Sequence, residues 1–166
     1  MIDRPIRILC MEDNQLVAEA INRKLDREGG FEWLGWVQDS EALLDRVRAT
    51  KPDVISMDLD MPRVDAFALI GKIKKTVPQS RVMVLSGHVS ADLVQRAIES
   101  GAAGYLSKAE ESRAIVESYR QVAKGALVLG RLSQDAWNDL SPPAPEPEVE
   151  AKPSLLRRFP LFKRSK

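Results

Sequence analysis

Apolar residues fall into short continuous runs, each followed by a longer stretch with helical spacing. Ile6–Met11 (IRILCM) is apolar nearly throughout and predicts a buried strand. Residues 14–28 place Val17, Ile21 and Leu25 four apart, a helical stripe that Asp13 or Asn14 can cap and Gly29-Gly30 ends. Phe31–Val37 predicts a second strand, and a helix from Asp39 or Ser40 to Ala49 turns Leu43, Leu44 and Val47 inward. The cycle repeats three more times. Val54–Met57 precedes a helix carrying Phe67, Ile70 and Ile73. Residues 81–85 (RVMVL) precede one carrying Leu93, Val94, Ala97 and Ile98. Residues 104–106 precede one carrying Ile115, Tyr119 and Val122, stopped by Gly125. Five such alternations predict an α/β fold with a parallel sheet covered on both faces. Right-handed crossovers then favour a doubly wound, five-stranded, flavodoxin-like (βα)5 arrangement.

The pattern weakens after Gly125. Residues 1–125 are expected to form the domain, and residues 126–140 an extension with a short helix around Trp137. Residues 141–153 (SPPAPEPEVEAKP) have the composition of a linker, because proline blocks both helix and ladder and the glutamates repel. Residues 154–166 mix Leu155, Leu156, Phe159, Leu161 and Phe162 with five basic residues and no acid. That tail reads as a partner-docking peptide, an anchor for an anionic membrane surface, or an unstructured solubilising end. Nothing in it forms a DNA-reading helix, so direct DNA binding is not expected.

The chain has 166 residues and a net charge of +1, which gives no overall bias toward nucleic acid. Cys10 is the sole cysteine, so neither an internal disulfide nor a paired-cysteine metal site is available, and it reads as a small buried residue. No apolar run has spanning length and no signal-peptide core follows Met1, so the cytoplasm is the expected compartment.

Ligands of open parallel sheets bind beyond the carboxyl ends of the strands. Here those ends deliver Glu12 and Asp13, then Asp58, then Ser86, then Lys108. Taken singly, each has a plain reading: a helix N-terminal region for Glu12-Asp13, a turn for Asp58 and Ser86, a solvated surface lysine for Lys108. Together they put three carboxylates, a hydroxyl and an ammonium at one edge. Clustered hard oxygens suit Mg2+ with its waters. Asp58 can act as a nucleophile toward phosphorus, Lys108 can neutralise phosphoryl oxygens, and Ser86 can donate a hydrogen bond.

The pieces ILCMEDN, DVISMDLDMP, VMVLSGH and GAAGYLSKA, in this order, resemble a response-regulator receiver domain of the type that usually precedes a helix-turn-helix output domain. The resemblance implies a single-domain response regulator of a two-component or phosphorelay system. Asp58 would take a phosphoryl group from a histidine kinase or histidine phosphotransfer protein. Glu12, Asp13 and Asp58, with the Asp60 carbonyl, would hold Mg2+. Ser86 and Tyr105 would be a switch pair altering the surface around Val94, Tyr105 and Tyr119, read by a downstream protein. The protein would catalyse only its own aspartyl phosphorylation and dephosphorylation. Ala66 stands where the family often has glycine, and Ala109 where many members have proline. Asp60 and His88 occupy positions that tune phosphoryl lifetime in the family, although His88 also reads as a solvated loop residue.

Two other readings compete. Asp58-Leu59-Asp60 matches the nucleophile motif of a haloacid-dehalogenase-type phosphatase, but it follows the third strand instead of the first and lacks a later acidic pair. A phosphorylation-independent adaptor of receiver fold would not require the intact set Glu12, Asp13, Asp58, Ser86 and Lys108.

Overall fold

The computed structural model describes residues 4–140. The elements run β1 (Ile6–Met11), α1 (Gln15–Glu28), β2 (Phe31–Val37), α2 (Ser40–Thr50), β3 (Val54–Met57), α3 (Ala66–Thr76), β4 (Arg81–Ser86), α4 (Ala91–Ser100), β5 (Gly104–Ser107), α5 (Ser112–Ala123), β6 (Val128–Leu129) and α6 (Arg131–Leu140). The strands form one sheet in the order β2-β1-β3-β4-β5-β6, with every pairing parallel. The doubly wound α/β fold is as expected, but the sheet has six strands where the sequence predicts five. The sixth has only two residues, too few for alternation to register. It pairs Val128 with Gly104 and Leu129 with Tyr105.

Strand alternation sorts the core into two layers. Ile8 and Cys10 join Ile21, Leu25, Ile115 and Tyr119 on the α1/α5 face. Leu9 and Met11 join Leu43, Ile70, Val94 and Tyr105 on the opposite face, beneath α2, α3 and α4. Burial on both faces explains why β1 and β3 read as almost continuous apolar runs, interrupted only by Arg7 and Ser56. Cys10 is buried, as its surroundings in the sequence imply.

Side-chain caps set where the helices begin. Asn14 accepts from Leu16 N–H, Asp39 from Ala42 N–H, Asp65 from Ala68 N–H and Ser90 from Leu93 N–H. Each such cap contributes ~1 kcal/mol. Because Asn14 caps α1, the neighbouring Asp13 is left free for other work.

The extension at 126–140 forms β6 and the expected helix, α6, which lies against α4 and β5. Leu129 and Trp137 are half-buried and pack on the core layer that contains Tyr105. Val94, Tyr105 and Tyr119, around which a switched surface is expected, are all fully buried, so none of the three is itself on the surface. Tyr119 also lies on the opposite layer, where its hydroxyl donates to Ser56 Oγ at 2.6 Å. The stripe Ile115-Tyr119-Val122 that reveals α5 in the sequence is the stripe that buries this ring. Residues 141–153 and 154–166, read as linker and basic tail, lie outside the described residues. No helix among the described residues is long and apolar enough to cross a membrane.

Candidate functional site

Parallel strands deliver their carboxyl ends to one edge, and backbone bonds fix the spacing there. Asp58 N–H donates to the Met11 carbonyl at 3.0 Å, which sets the residue after β3 beside the end of β1. Glu12 N–H donates to the Val37 carbonyl at 3.1 Å, and Lys108 N–H to the Ser86 carbonyl at 2.8 Å. Glu12, Asp13, Asp58, Ser86 and Lys108 therefore meet at one edge, as the sequence predicts. Lys108 Nζ lies 2.7 Å from Glu12 Oε2 and 2.8 Å from Asp58 Oδ2. Carboxylate oxygens of Glu12, Asp13 and Asp58 all lie within 4.8 Å of one another.

This is a crowded site. Glu12 and Asp58 are buried and share the Lys108 ammonium, and Asp13 is exposed. Burial raises the Glu12 carboxyl above the ordinary range, against the lowering effect of Lys108 and of the Asn14 N–H. Burial alone would lower the Lys108 ammonium, but its bonds to Asp58 and Glu12 outweigh that and raise it. Lys108 is thus held firmly charged, and the acids still exceed it in number. A divalent cation with oxygen preference suits that imbalance.

Beside this cluster, Asp60 collects a second set of contacts. Its Oδ2 lies 2.8 Å from His88 Nδ1 and accepts from Ser86 Oγ at 3.4 Å. Ser86 Oγ in turn accepts from His88 N–H at 3.1 Å. The hydrogen bond to Asp60 raises the exposed His88 imidazole. Tyr105 points inward, and its hydroxyl donates to the His88 carbonyl at 2.7 Å. Burial pushes the Tyr105 phenol up to about 12. No hydrogen bond joins Ser86 to Asp58 among the described residues; the link runs through Asp60, whose N–H donates to Asp58 Oδ1 at 3.3 Å. The contacts of the Asp60 side chain with His88 and Ser86 are what sequence reading misses, since it places Asp60 and His88 beside the site without joining them. The signal available was the single histidine, two residues after Ser86. His88 is both an exposed loop residue and part of the site's rim.

An apolar pocket opens next to the cluster, lined by Leu16, Val17, Ile21, Leu85 and Ile115, with Lys108 at its edge. Leu16 is 71% exposed, which is unusual for a leucine on the first turn of a core helix.

Residues 8–120 match the family model of the response regulator receiver domain. The chain is 33% identical over 127 residues to the transcriptional regulatory protein DegU of Brevibacillus brevis, covering 76% of this chain and 54% of DegU. It is 30% identical over 120 residues to the response regulator UvrY of Escherichia coli, covering 72% of this chain and 55% of UvrY. The chain thus spans about half the length of these two relatives. Among solved structures, the signal receiver domain of the response regulator NarL from Mycobacterium tuberculosis superposes with a TM-score of 0.70 at 30% identity, covering 74% of this chain and 98% of that one. A LuxR-family two-component response regulator from Aurantimonas sp. SI85-9A1 shares the fold, with a TM-score of 0.78 at 21% identity, covering 81% of this chain and 96% of that one.

Proposed function

Because the chain belongs to the response regulator receiver domain family, we propose that Asp58 accepts a phosphoryl group from a phosphohistidine and that the protein acts as a signalling switch. The observation that carries this reading is the sharing of one ammonium. Lys108 Nζ stands 2.7 Å from Glu12 and 2.8 Å from Asp58, with Asp13 completing the acidic cluster. The Asp58 carboxylate attacks phosphorus as the P–N bond of the donor breaks, and the electron pair leaves with the imidazole nitrogen, which takes up a proton. Lys108 is placed to follow the incoming charge, because the oxygen it now holds belongs to the nucleophile. Ser86 is placed to turn from Asp60 toward a phosphoryl oxygen.

Glu12, Asp13 and Asp58, with the Asp60 carbonyl, fit Mg2+ by the chemistry of their donors. When bound, the ion supplies charge neutralisation between carboxylate and phosphoryl group. The protein's chemistry is confined to its own acyl phosphate: formation on Asp58 and hydrolysis.

The apolar pocket at Leu16, Val17 and Ile115 supports docking of a kinase or phosphotransfer helix beside the acceptor. Output is assigned to a downstream protein. The composition of residues 141–166, a proline- and glutamate-rich stretch and a basic tail, supports that over direct DNA reading. On this reading residues 1–125 are the receiver and act in the cytoplasm, and the basic tail serves docking to a partner or to a membrane.

Phosphotransfer from a panel of autophosphorylated histidine kinases tests the proposal. Transfer to the wild-type chain with Mg2+, and none to Asp58→Asn, is the expected result. Equal labelling of both proteins overturns it.

A further inference from the structure

The edge of the domain opposite the acceptor site carries unmatched positive charge. Lys74 and Lys75 lie in the last turn of α3, and Arg81 opens β4. Lys74 and Arg81 are exposed, and neither enters an ion pair among the described residues. A Cβ on Gly101 would collide with the Lys74 stem, and one on Gly125 would come within 3.2 Å of Arg81 Nη2. Each cation thus lies against a glycine just past a helix: Gly101 after α4 and Gly125 after α5. The two cations line one pocket of about 340 Å³. The rest of its lining is uncharged, and Ala102, Ala103 and Ala126 leave it open.

Helix α6 leads the chain to this pocket. Its first turn sits by the loop after Lys108, where Leu132 N–H donates to Glu110 Oε1 at 3.2 Å. Residues Arg131–Leu140 then carry the backbone ~15 Å back toward the opposite edge, at ~1.5 Å per residue. Trp137 lines a smaller pocket with Ile98 and Leu127, and both of these also line the larger one. Leu127 is 61% exposed, which leaves apolar surface on the shared rim. Residues 141–150 follow as SPPAPEPEVE, with Glu146, Glu148 and Glu150 and no basic residue. Proline fixes φ and favours an extended course of ~3.1 Å per residue. On such a course Glu146 lies within ~19 Å of Leu140. The sign of the charge selects this segment, because residues 154–166 are basic and would be repelled by Lys74 and Arg81.

We propose that the pocket between Lys74 and Arg81 is the docking site of the chain's own segment 141–150. Glu146 and Glu148 meet the two cations, and the proline rings cover Leu127. This goes beyond the reading of Asp58 and does not depend on it. Exposed ion pairs are individually weak, but a short tether holds the segment at millimolar effective concentration. Docking also fixes where the basic residues 154–166 begin. They start near the amino ends of the strands, across the domain from Glu12, Asp13 and Asp58, whose charge would otherwise draw them onto the acceptor site.

Paramagnetic broadening in the isotope-labelled full chain, with a nitroxide on Ala151→Cys, tests the proposal. Cys10 is buried, so the introduced thiol is the one that takes the label. At low salt the amide signals of Lys74, Arg81, Gly101 and Gly125 are expected to fall by about half relative to the reduced label. They are expected to recover at about 1 M salt, where the screening length is ~3 Å. Lys74→Glu with Arg81→Glu is expected to abolish the broadening, and Glu146→Lys with Glu148→Lys added to that chain to restore it. No broadening, or broadening centred elsewhere such as Leu16 and Ile115, overturns the proposal. Broadening that survives the double charge reversal overturns it as well. Broadening seen only between an isotope-labelled copy and a separate nitroxide-bearing copy would give the pocket to a second molecule, and overturns it too.

Discussion

Asp53 and Asp58 stand at opposite ends of the same four-residue strand, β3, and their surroundings differ in kind. Asp53 accepts from Arg4 Nη1 at 2.7 Å, from Arg4 Nη2 at 2.8 Å and from Arg7 N–H at 2.9 Å. Burial would raise its carboxyl, but these bonds outweigh burial and hold it below the ordinary range. Asp58 shares its one cation with Glu12, and Glu12 is raised. The acid at the amino end of the strand is satisfied and fastens β1 to β3. The acid at the carboxyl end stands in a site with too much negative charge, which is the condition for taking up a cation and a phosphoryl group. Identical side chains on one strand thus separate into a structural role and a chemical one according to how well their charge is met.

Substitutions can break this contrast from either end. Lys108→Ala has the largest expected effect. It leaves two buried carboxylates without a counter-charge and lowers unfolding free energy by roughly 3 kcal/mol, recovered in part by millimolar Mg2+. Urea denaturation with and without the ion measures both. Asp53→Ala, at the satisfied end, is expected to cost ~2 kcal/mol through the loss of charge-assisted bonds to Arg4 and Arg7, with Mg2+ giving no recovery. Asp58→Asn is expected to change stability in the opposite direction, a gain of ~1 kcal/mol without Mg2+, because it removes one of the crowded charges. Loss of stability on Asp58→Asn would mean that the two ends of β3 are alike after all.

The pH dependence sharpens the contrast further, since the two acids act with opposite signs. Asp53 is lowered on folding, so its contribution is present above its unfolded value and is lost as pH falls through the folded one. Asp53→Asn should therefore flatten the stability profile below about pH 4. Glu12 is raised, so its penalty is absent below its unfolded value and grows as pH rises through the folded one. Glu12→Gln should gain in relative stability as pH rises across that interval. Parallel denaturation series for the two variants should diverge in these directions.

Much of this contrast can be read in the sequence, and the reasons are local. The run at Val54–Met57 and the acids on each side of it are visible because a strand buried on both faces is apolar but for one small residue, Ser56. The edge set Glu12, Asp13, Asp58, Ser86 and Lys108 is visible because each follows its own strand. What the sequence hides depends on partners far along the chain. Arg4 meets Asp53 across 49 residues, and Glu110 meets Leu132 across 22. β6 is hidden because two residues carry no period, and the orientation of Tyr105 because an aromatic in a buried strand reads the same whether its hydroxyl is bonded or free. The Asp60–His88 contact is hidden because both residues are exposed and lie in loops, where spacing does not predict contact.

The smallest effect separates the two buried tyrosines. Tyr119→Phe strips the partner from buried Ser56 Oγ and is expected to cost ~1–2 kcal/mol without altering the response to beryllofluoride. Tyr105→Phe removes a bond to a loop carbonyl and is expected to cost under ~1 kcal/mol, but to alter the exchange response of the His88 loop to beryllofluoride. Thermal denaturation paired with exchange measurements distinguishes the two.

The central claim is that the crowded end of β3 takes up phosphorus. Intact-mass measurement after incubation with acetyl phosphate and Mg2+, followed by peptide mapping, tests this most directly. The predicted result is a gain of one phosphoryl group on Asp58, absent without Mg2+ and absent in Asp58→Asn, while Asp53→Asn gains it normally. No phosphoryl gain in the wild-type chain, or a gain that persists in Asp58→Asn, would contradict the account.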